Sequence, residues 1–534
     1  MLPSSTSSPV DVLLVGSGIN SLVCAAMLAR AGRRVHVLER EQVHGGCIRT
    51  DELTLPGFAH DTLSTAHPLF VVGPAHAELG EALRQAGMEY CNNDTPTGVL
   101  MPDGRSLVLS TSRERNLQAF EACRPGAGAA FAAALAEVQD NAELVFALLG
   151  QELWRWPTAR MLARKAWKQG PLPLSGFFGA ALEPARAWLQ RAFGDLDSPA
   201  AALLAPWTLH TGLGPDSPVS ALMDKVVAFT LEAVGIPLVK GGNAGTVRAL
   251  RSLIEQAGGS LETGADVEQV LVQGGRARGV RLRGGRELLA ADVVCSVTPT
   301  QLYLRLLSEQ KLPPEVLQQA RAYRYGKGNM QIHLALSEAP RWPDAALGKA
   351  TYLHLSGGTN AVSRAVNEAE RGLLPAQPTI CVAQPTAVDP SRAPEGRHIL
   401  WIQLPECPRE PRGDAAGEIA VDPGAGWTPA LREAYADRVL ATIARHAPNL
   451  PASILGRSVL SPADLERLNI NLVGGDPYGG DCGLDQSFLW RPLRGQRNHE
   501  TPIAHLWHIG ASTHPGPGLG GTSGFHVASL LGRR

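Results

Sequence analysis

The chain carries no surplus charge of either sign: 49 Lys and Arg stand against 50 Asp and Glu. No basic tract interleaved with aromatics occurs, which excludes a nucleic-acid partner. No uninterrupted apolar run approaches the roughly 20 residues that a bilayer span needs. The opening MLPSSTSSPV lacks a basic region followed by an apolar stretch, so no secretory leader is read there and a cytoplasmic protein is expected. The eight cysteines (24, 47, 91, 123, 295, 381, 407 and 482) include no C-x-x-C pair and no zinc spacing. That pattern gives no metal site, so a non-metal protein is expected, and it leaves small buried residues of a reducing compartment.

What is present is glycine at both ends. The segment VGSGINSLVCAAMLARAGRRVHVLER reads as a strand, a tight turn, a helix and a second strand ending in an acid, the order that holds a dinucleotide. Gly16 allows the sharp turn, and Gly18 removes the side chain that would keep the backbone from a pyrophosphate. Ser21 stands where the fingerprint has its third glycine, still small enough for close packing. Asn20 or Ser21 is expected to cap the helix, whose N-terminus favours phosphate, and Gly32 to stop it. Glu39 ends the second strand and would accept hydrogen bonds from ribose hydroxyls. A second segment, IGASTHPGPGLGGTSGFHVASLL, would close over the same ligand. The pairing points to FAD and to a redox enzyme, and the absence of a second strand-turn-helix fingerprint speaks against a bound NAD(P).

A chain of 534 residues is too long for one hydrophobic core. The fold class is read as α/β. A Rossmann-like FAD-binding domain is assembled from discontinuous segments (9–75, 235–300 and 465–534), with a substrate domain of mixed sheet plus helical lid. Residues 76–234 are Ala- and Leu-rich with helical spacing and form the expected lid. Residues 301–464 alternate short strands such as MQIHLAL, TICVAQP and HILWIQL with Pro- and Gly-rich loops, the expected substrate-domain sheet. Between them, residues 246–257 read as a helix stopped by Gly258 and Gly259, followed by a meander with Gly-Gly pairs at 274 and 284.

The runs HGGCIRTDELTLPGFAHDTLSTAHPLF, GGNAGTVRALRSLIEQAGGSLETGADVEQV and GASTHPGPGLGGTSG resemble the phytoene desaturase-related FAD oxidoreductases. Within that group they are most similar to the branch named for a pyridine nucleotide-disulfide oxidoreductase domain. The resemblance implies an FAD domain of the glutathione reductase and amine oxidase type. It places Gly16, Gly18, Ile19, Asn20 and Ser21 at the dinucleotide turn, and Glu39 and Arg40 at the ribose. It sets Gly45, Gly46 and Arg49 along the cofactor, with Val267, next to Asp266, passing the adenine. Gly510, Ala511, His514, Pro515, Gly516, Gly520 and Gly521, with Gly524, fall in the motif that reaches the flavin ring and ribityl chain. Disulfide chemistry is not expected, because Cys47 in GGCIRTDELT has no partner cysteine downstream.

Flavin dehydrogenation needs a substrate C–H bond close to flavin N5, and often a base for a neighbouring proton. His514, His67 and Asp61 are the candidates. Asp476 and Gln486, in the glycine-rich run 471–488, are candidate polar contacts of the pocket floor. Half of the ten tryptophans lie between Trp154 and Trp207. A helix started by Pro157 would set Arg160, Arg164 and Lys168 on one face, opposite Ala159, Leu162, Ala163 and Ala166. Such a helix either rests on an anionic membrane or is a solvated lid. The reading is hydride transfer from a largely apolar small molecule to flavin N5, with oxygen or a quinone as electron acceptor. A flavin amine or alcohol oxidase, and a flavoprotein that acts as an interaction partner, stay open.

Overall fold

The computed structural model describes residues 10–533; the leader reading on residues 1–9 and the first residue of the expected FAD domain lie outside them. The first strand, Val10–Val15, is apolar because it is covered on both sides: Val12, Leu13 and Leu14 are fully buried. It pairs in parallel with Glu287–Ser296 on one side and Val35–Leu38 on the other. The sheet continues through Ser260–Glu262, and Leu506–Ile509 pairs with Glu287–Ser296. Residues from the beginning, middle and end of the chain therefore build one seven-stranded sheet.

Val267–Gln273, Arg276–Leu282 and Glu287–Ser296 form the antiparallel meander, turned at Gly274 and Gly275 and again at Gly284 and Gly285. All four of these glycines have positive φ, between 60° and 92°, as two-residue hairpin turns demand. The preceding helix runs Ala244–Gln256, and the Gly258 N–H bonds back to the Glu255 carbonyl.

The first helix, Ile19–Arg30, is capped neither by Asn20 nor by Ser21. Gly18 is its N-cap and makes no side-chain bond. Ten of its twelve residues are buried, because the last helix, Thr522–Leu531, and Ala244–Gln256 pack against it. Gly524 is the contact: a Cβ there would stand 1.8 Å from the Asn20 carbonyl oxygen.

The second sheet has seven strands in the order Ile454–Leu460, Gly328–Leu336, His398–Cys407, Ile380–Ala383, Tyr352–Leu355, Thr97–Leu100 and Ser106–Leu109. The last two lie within residues 76–234, so that stretch is not wholly helical; one hairpin of it supplies a sheet edge. Every residue of Gly328–Leu336 is buried, and the period of two separates its faces. Met330, Ile332 and Leu334 join Leu431, Tyr435 and Val439 of the helix Pro429–Ala444 in one core. That helix starts at Thr428, whose hydroxyl accepts from the Leu431 N–H, with Pro429 at its first position. The opposite sheet face carries Asn329, Gln331, Tyr352, Trp401 and Gln403, and faces a cavity.

Candidate functional site

The cavity between the two sheets measures about 910 Å³. Its nucleotide half is bounded by the glycine turn. Gly16 has φ 88°, and a Cβ on it would come within 3.2 Å of the Ser296 carbonyl oxygen. A Cβ on Gly18 would meet nothing within 4 Å, because the backbone there faces open cavity. Gly45 and Gly46 fold over it with positive φ, and a Cβ on Gly46 would reach 3.2 Å from the Gly18 Cα. With no side-chain cap, the free N–H groups and the positive end of the first helix dipole meet this space, which suits a pyrophosphate.

Glu39 is held rather than free. Its Oε2 accepts from the Ser17 N–H at 2.8 Å and the Ser17 hydroxyl at 2.6 Å, and its Oε1 accepts from the Glu41 N–H at 3.0 Å. The Ser17 hydroxyl in turn accepts from the Gly45 N–H at 3.0 Å. The carboxylate on the cavity wall is thereby oriented by the backbone, with lone pairs left for a diol. Ile19, Asn20, Arg40, Arg49 and Val267 also line this half, with Arg40 bonded to Glu41 and Arg49 to Asp51. The Val267 carbonyl accepts from Arg305 at 3.1 Å. Ser21 does not line the cavity; it is buried within the first turn of the helix.

From the other end of the chain, Gly510, Ala511, Pro515, Gly516, Gly520 and Gly521 line the same cavity. The Gly510 N–H donates to Ser523 Oγ at 3.0 Å. Gly521 is the N-cap of the last helix, again without a side-chain bond. Two uncapped helix N-termini thus face one cavity, the first suited to phosphate and the second to negative charge gathering on an aromatic ring system. Arg491, unmarked in the sequence, is buried beside them and donates to the carbonyls of Ala511, Tyr478 and Asp481. A glycine cradle open to a diphosphate, an oriented carboxylate and a second helix end fit FAD.

The three proposed bases do not reach this wall. Asp61 is buried with its acceptor positions filled: Oδ1 takes Thr50 Oγ1 and the Asn243 N–H, both at 2.8 Å, and Oδ2 takes Thr65 Oγ1 at 2.6 Å and Arg392 Nη1 at 2.5 Å. His67 is buried against Phe70 and Tyr90, and desolvation pushes its imidazole down to about 4. His514 lies in the terminal motif, but Asn498 holds its backbone N–H and carbonyl while the ring packs by Phe488, where burial pushes it down to about 3. Asp476 and Gln486 are turned away too. Asp476 accepts from the N–H groups of Gly326, Tyr478 and Gly480, and Gln486 bonds Arg324, so both shape the loop while Pro477, Tyr478 and Phe488 meet the cavity.

Sequence reading missed the floor of the second half. Trp207 and His210 come from the lid, and Asn329, Gln331, Tyr352, Trp401 and Gln403 from the sheet. The Trp207 and Tyr352 rings are parallel with centroids 6.1 Å apart, and Trp401 continues the row at 6.1 Å from Tyr352. His210 Nε2 is 2.9 Å from His354 Nε2, so one ring donates to the other, and burial pushes His210 down to about 4.

The profile of the flavin containing amine oxidoreductase family matches residues 22–419. The chain belongs to that family. The family member is an FAD-dependent oxidoreductase with the fold class read from the sequence. It is 27% identical to "Pyridine nucleotide-disulfide oxidoreductase domain-containing protein 2" of Rattus norvegicus over 98% of this chain and 93% of the relative. It is likewise 27% identical to the zeta-carotene-forming phytoene desaturase of Myxococcus xanthus over 97% and 92%. Among solved structures, an oxidoreductase from Methanosarcina mazei superposes with a TM-score of 0.59 at 17% identity, over 98% of this chain and 99% of that one. Cyclohexylamine oxidase from Brevibacterium oxydans does so with 0.57 at 15% identity, over 98% and 99%. These two show the shared fold.

Proposed function

We propose that this flavoenzyme oxidises a largely apolar small molecule, introducing or rearranging a double bond, and passes the electrons to oxygen or a quinone-like acceptor. One observation carries the reading: the cavity has an apolar wall, and apolar residues of its lining reach the surface. Met223, Val226 and Leu231 line it within the helix Ser220–Val234. Leu69, Val72 and Phe146 line it while remaining exposed. Such a lining admits an oily substrate and gives little to a hydrophilic one. Bound FAD supplies the two-electron acceptor. The chain's residues orient cofactor and substrate and keep water from the reacting bond. Anaerobic mixing with a polyene precursor, with alkylamines and with aliphatic alcohols tests the proposal. Bleaching of the flavin by the polyene precursor supports it, and bleaching by amines alone replaces it with an amine oxidase.

In this reading Glu39 binds the ribose hydroxyls, and Glu39→Ala removes charge-assisted bonds of about 1.5–3 kcal/mol, on the order of ten- to a hundredfold in FAD affinity. Glu39→Gln should cost less. Flavin retained through dialysis by Glu39→Ala at the wild-type level would show that the ribose is held elsewhere.

The same reading gives a role to the overhang made by the helices Trp156–Gln169 and Pro171–Ala181. No residue of the second is buried, and Trp167 and Leu172 are 91% and 82% exposed. Trp188 and Trp207, by contrast, are core residues. Exposed apolar groups beside Arg160, Arg164 and Lys168 suit the interface of an anionic bilayer. No helix among the described residues is long and apolar enough to cross one. Changing those three basic residues to Glu should leave flavin content intact and abolish sedimentation with anionic vesicles at low salt. Wild-type protein that stays in the supernatant would make the overhang a solvated lid.

A further inference from the structure

The sheet floor of the cavity is polar but uncharged, and this constrains the substrate more closely than its apolar walls do. Alternation along two neighbouring strands brings Gln331 opposite Gln403, and Trp401 lies across from Ala383, which also pairs with Tyr352. A patch of amide, phenol and indole groups results. Both side-chain atoms of Asn329, Oε1 of Gln331 and the indole N–H groups of Trp207 and Trp401 are buried without a hydrogen-bond partner among the described residues. Gln331 is anchored at its other end, where Nε2 donates to the Leu63 carbonyl at 2.8 Å. Amides left unpaired in an apolar surrounding are costly, and they gain by turning onto a polar ligand.

The charged side chains of the cavity lining lie away from this floor. The ionised residues on the cavity wall are Glu39, Arg40, Glu41, Arg49, Asp266 and Arg305 in the nucleotide half, and Arg491, which is committed to three carbonyls. Asp61 and Arg392 lie within electrostatic reach of Tyr352 but are paired with each other behind the wall, and among the described residues no carboxylate or free cation lines the floor itself. An ionised head group brought here would lose its hydration without a counter-charge. A pure hydrocarbon would leave the amides unpaired. We infer that the substrate is an amphiphile with an apolar chain and an uncharged oxygen-bearing head, a hydroxyl, carbonyl or carboxamide, seated on Tyr352, Gln403 and Asn329.

This rests on the proposed oxidation of an apolar molecule and names the class of that molecule. The test is binding to the FAD-loaded protein, read from perturbation of the flavin absorbance. Four straight-chain probes of equal length are compared: the alkane, the primary alcohol, the alkylammonium and the carboxylate. The alcohol is expected to bind about tenfold or more tightly than each of the others. In the double variant Tyr352→Phe, Gln403→Leu, with FAD content and unfolding temperature unchanged, the preference over the alkane should collapse to within about twofold. An alkane that binds as well as the alcohol, a charged probe that binds more tightly, no binding of any probe, or a preference surviving in the double variant would each overturn the inference. If the alcohol binds as expected and no apolar compound bleaches the flavin, the head-group assignment stands and the proposed oxidation falls.

Discussion

Gly524→Ala is expected to cost the protein its flavin and much of its stability. The added methyl would sit 1.8 Å from the Asn20 carbonyl oxygen and 2.7 Å from its carbon, both backbone atoms of the first helix. No rotamer change relieves an overlap with backbone, so the two helices must separate. Alanine for glycine inside a helix would otherwise gain about 1 kcal/mol. Overpacking of this kind costs 1–3 kcal/mol and more where neighbours cannot move, roughly reversing that gain and exceeding it. Both helices begin at the cavity, so their separation also spreads the two N-termini that face it. Flavin content after gel filtration and the thermal midpoint measure the effect. Gly176→Ala, in the overhang helix with nothing within 4 Å of the added Cβ, serves as the control and should be neutral or slightly stabilising. A Gly524→Ala protein as yellow and as stable as wild type would mean that the helix contact is looser than described.

Arg392→Leu should destabilise by about 3–5 kcal/mol, the range for removing one partner of a buried ion pair. The Arg392 side chain is fully buried. It reaches Asp61 at 2.5 Å, Asp389 at 3.2 Å and the Val239 carbonyl at 2.8 Å. Without it two carboxylates stay in the interior with no cation, and their remaining bonds to hydroxyls and N–H groups cannot replace the lost charge. Arg392→Lys should recover only part of the loss, because a single ammonium cannot span both acids and the carbonyl. Urea unfolding of the FAD-loaded protein reports the difference. A shift below about 1 kcal/mol would indicate that water enters this network when arginine is absent.

The same network explains why the sequence misleads about Asp61. An acid in a run that resembles a flavin enzyme is a fair candidate base until its partner is known, and that partner lies 331 residues away. His514 misleads differently. Its motif does line the cavity, but Asn498 fixes the backbone so that the ring turns to Phe488. The strand, turn, helix and second strand were legible because they follow one another in the chain. The cavity floor was half legible. MQIHLAL and HILWIQL announce strands, yet both faces of that sheet are covered, so alternation alone does not say which set of side chains meets a ligand and which meets a helix.

The sheet that carries the dinucleotide turn is completed by Leu506–Ile509, and the helix that closes the cavity is Thr522–Leu531. During biosynthesis the first strand and its glycine turn leave the ribosome early, while their last partners emerge on the order of a minute later at 5–20 residues per second. Through that interval the part of the first helix that Thr522–Leu531 covers stays open, although Ala244–Gln256 arrives midway to cover another part. The two helix ends that face the cavity therefore come together only once residues 506–531 have left the ribosome, so the dinucleotide turn made first has to wait for its cradle.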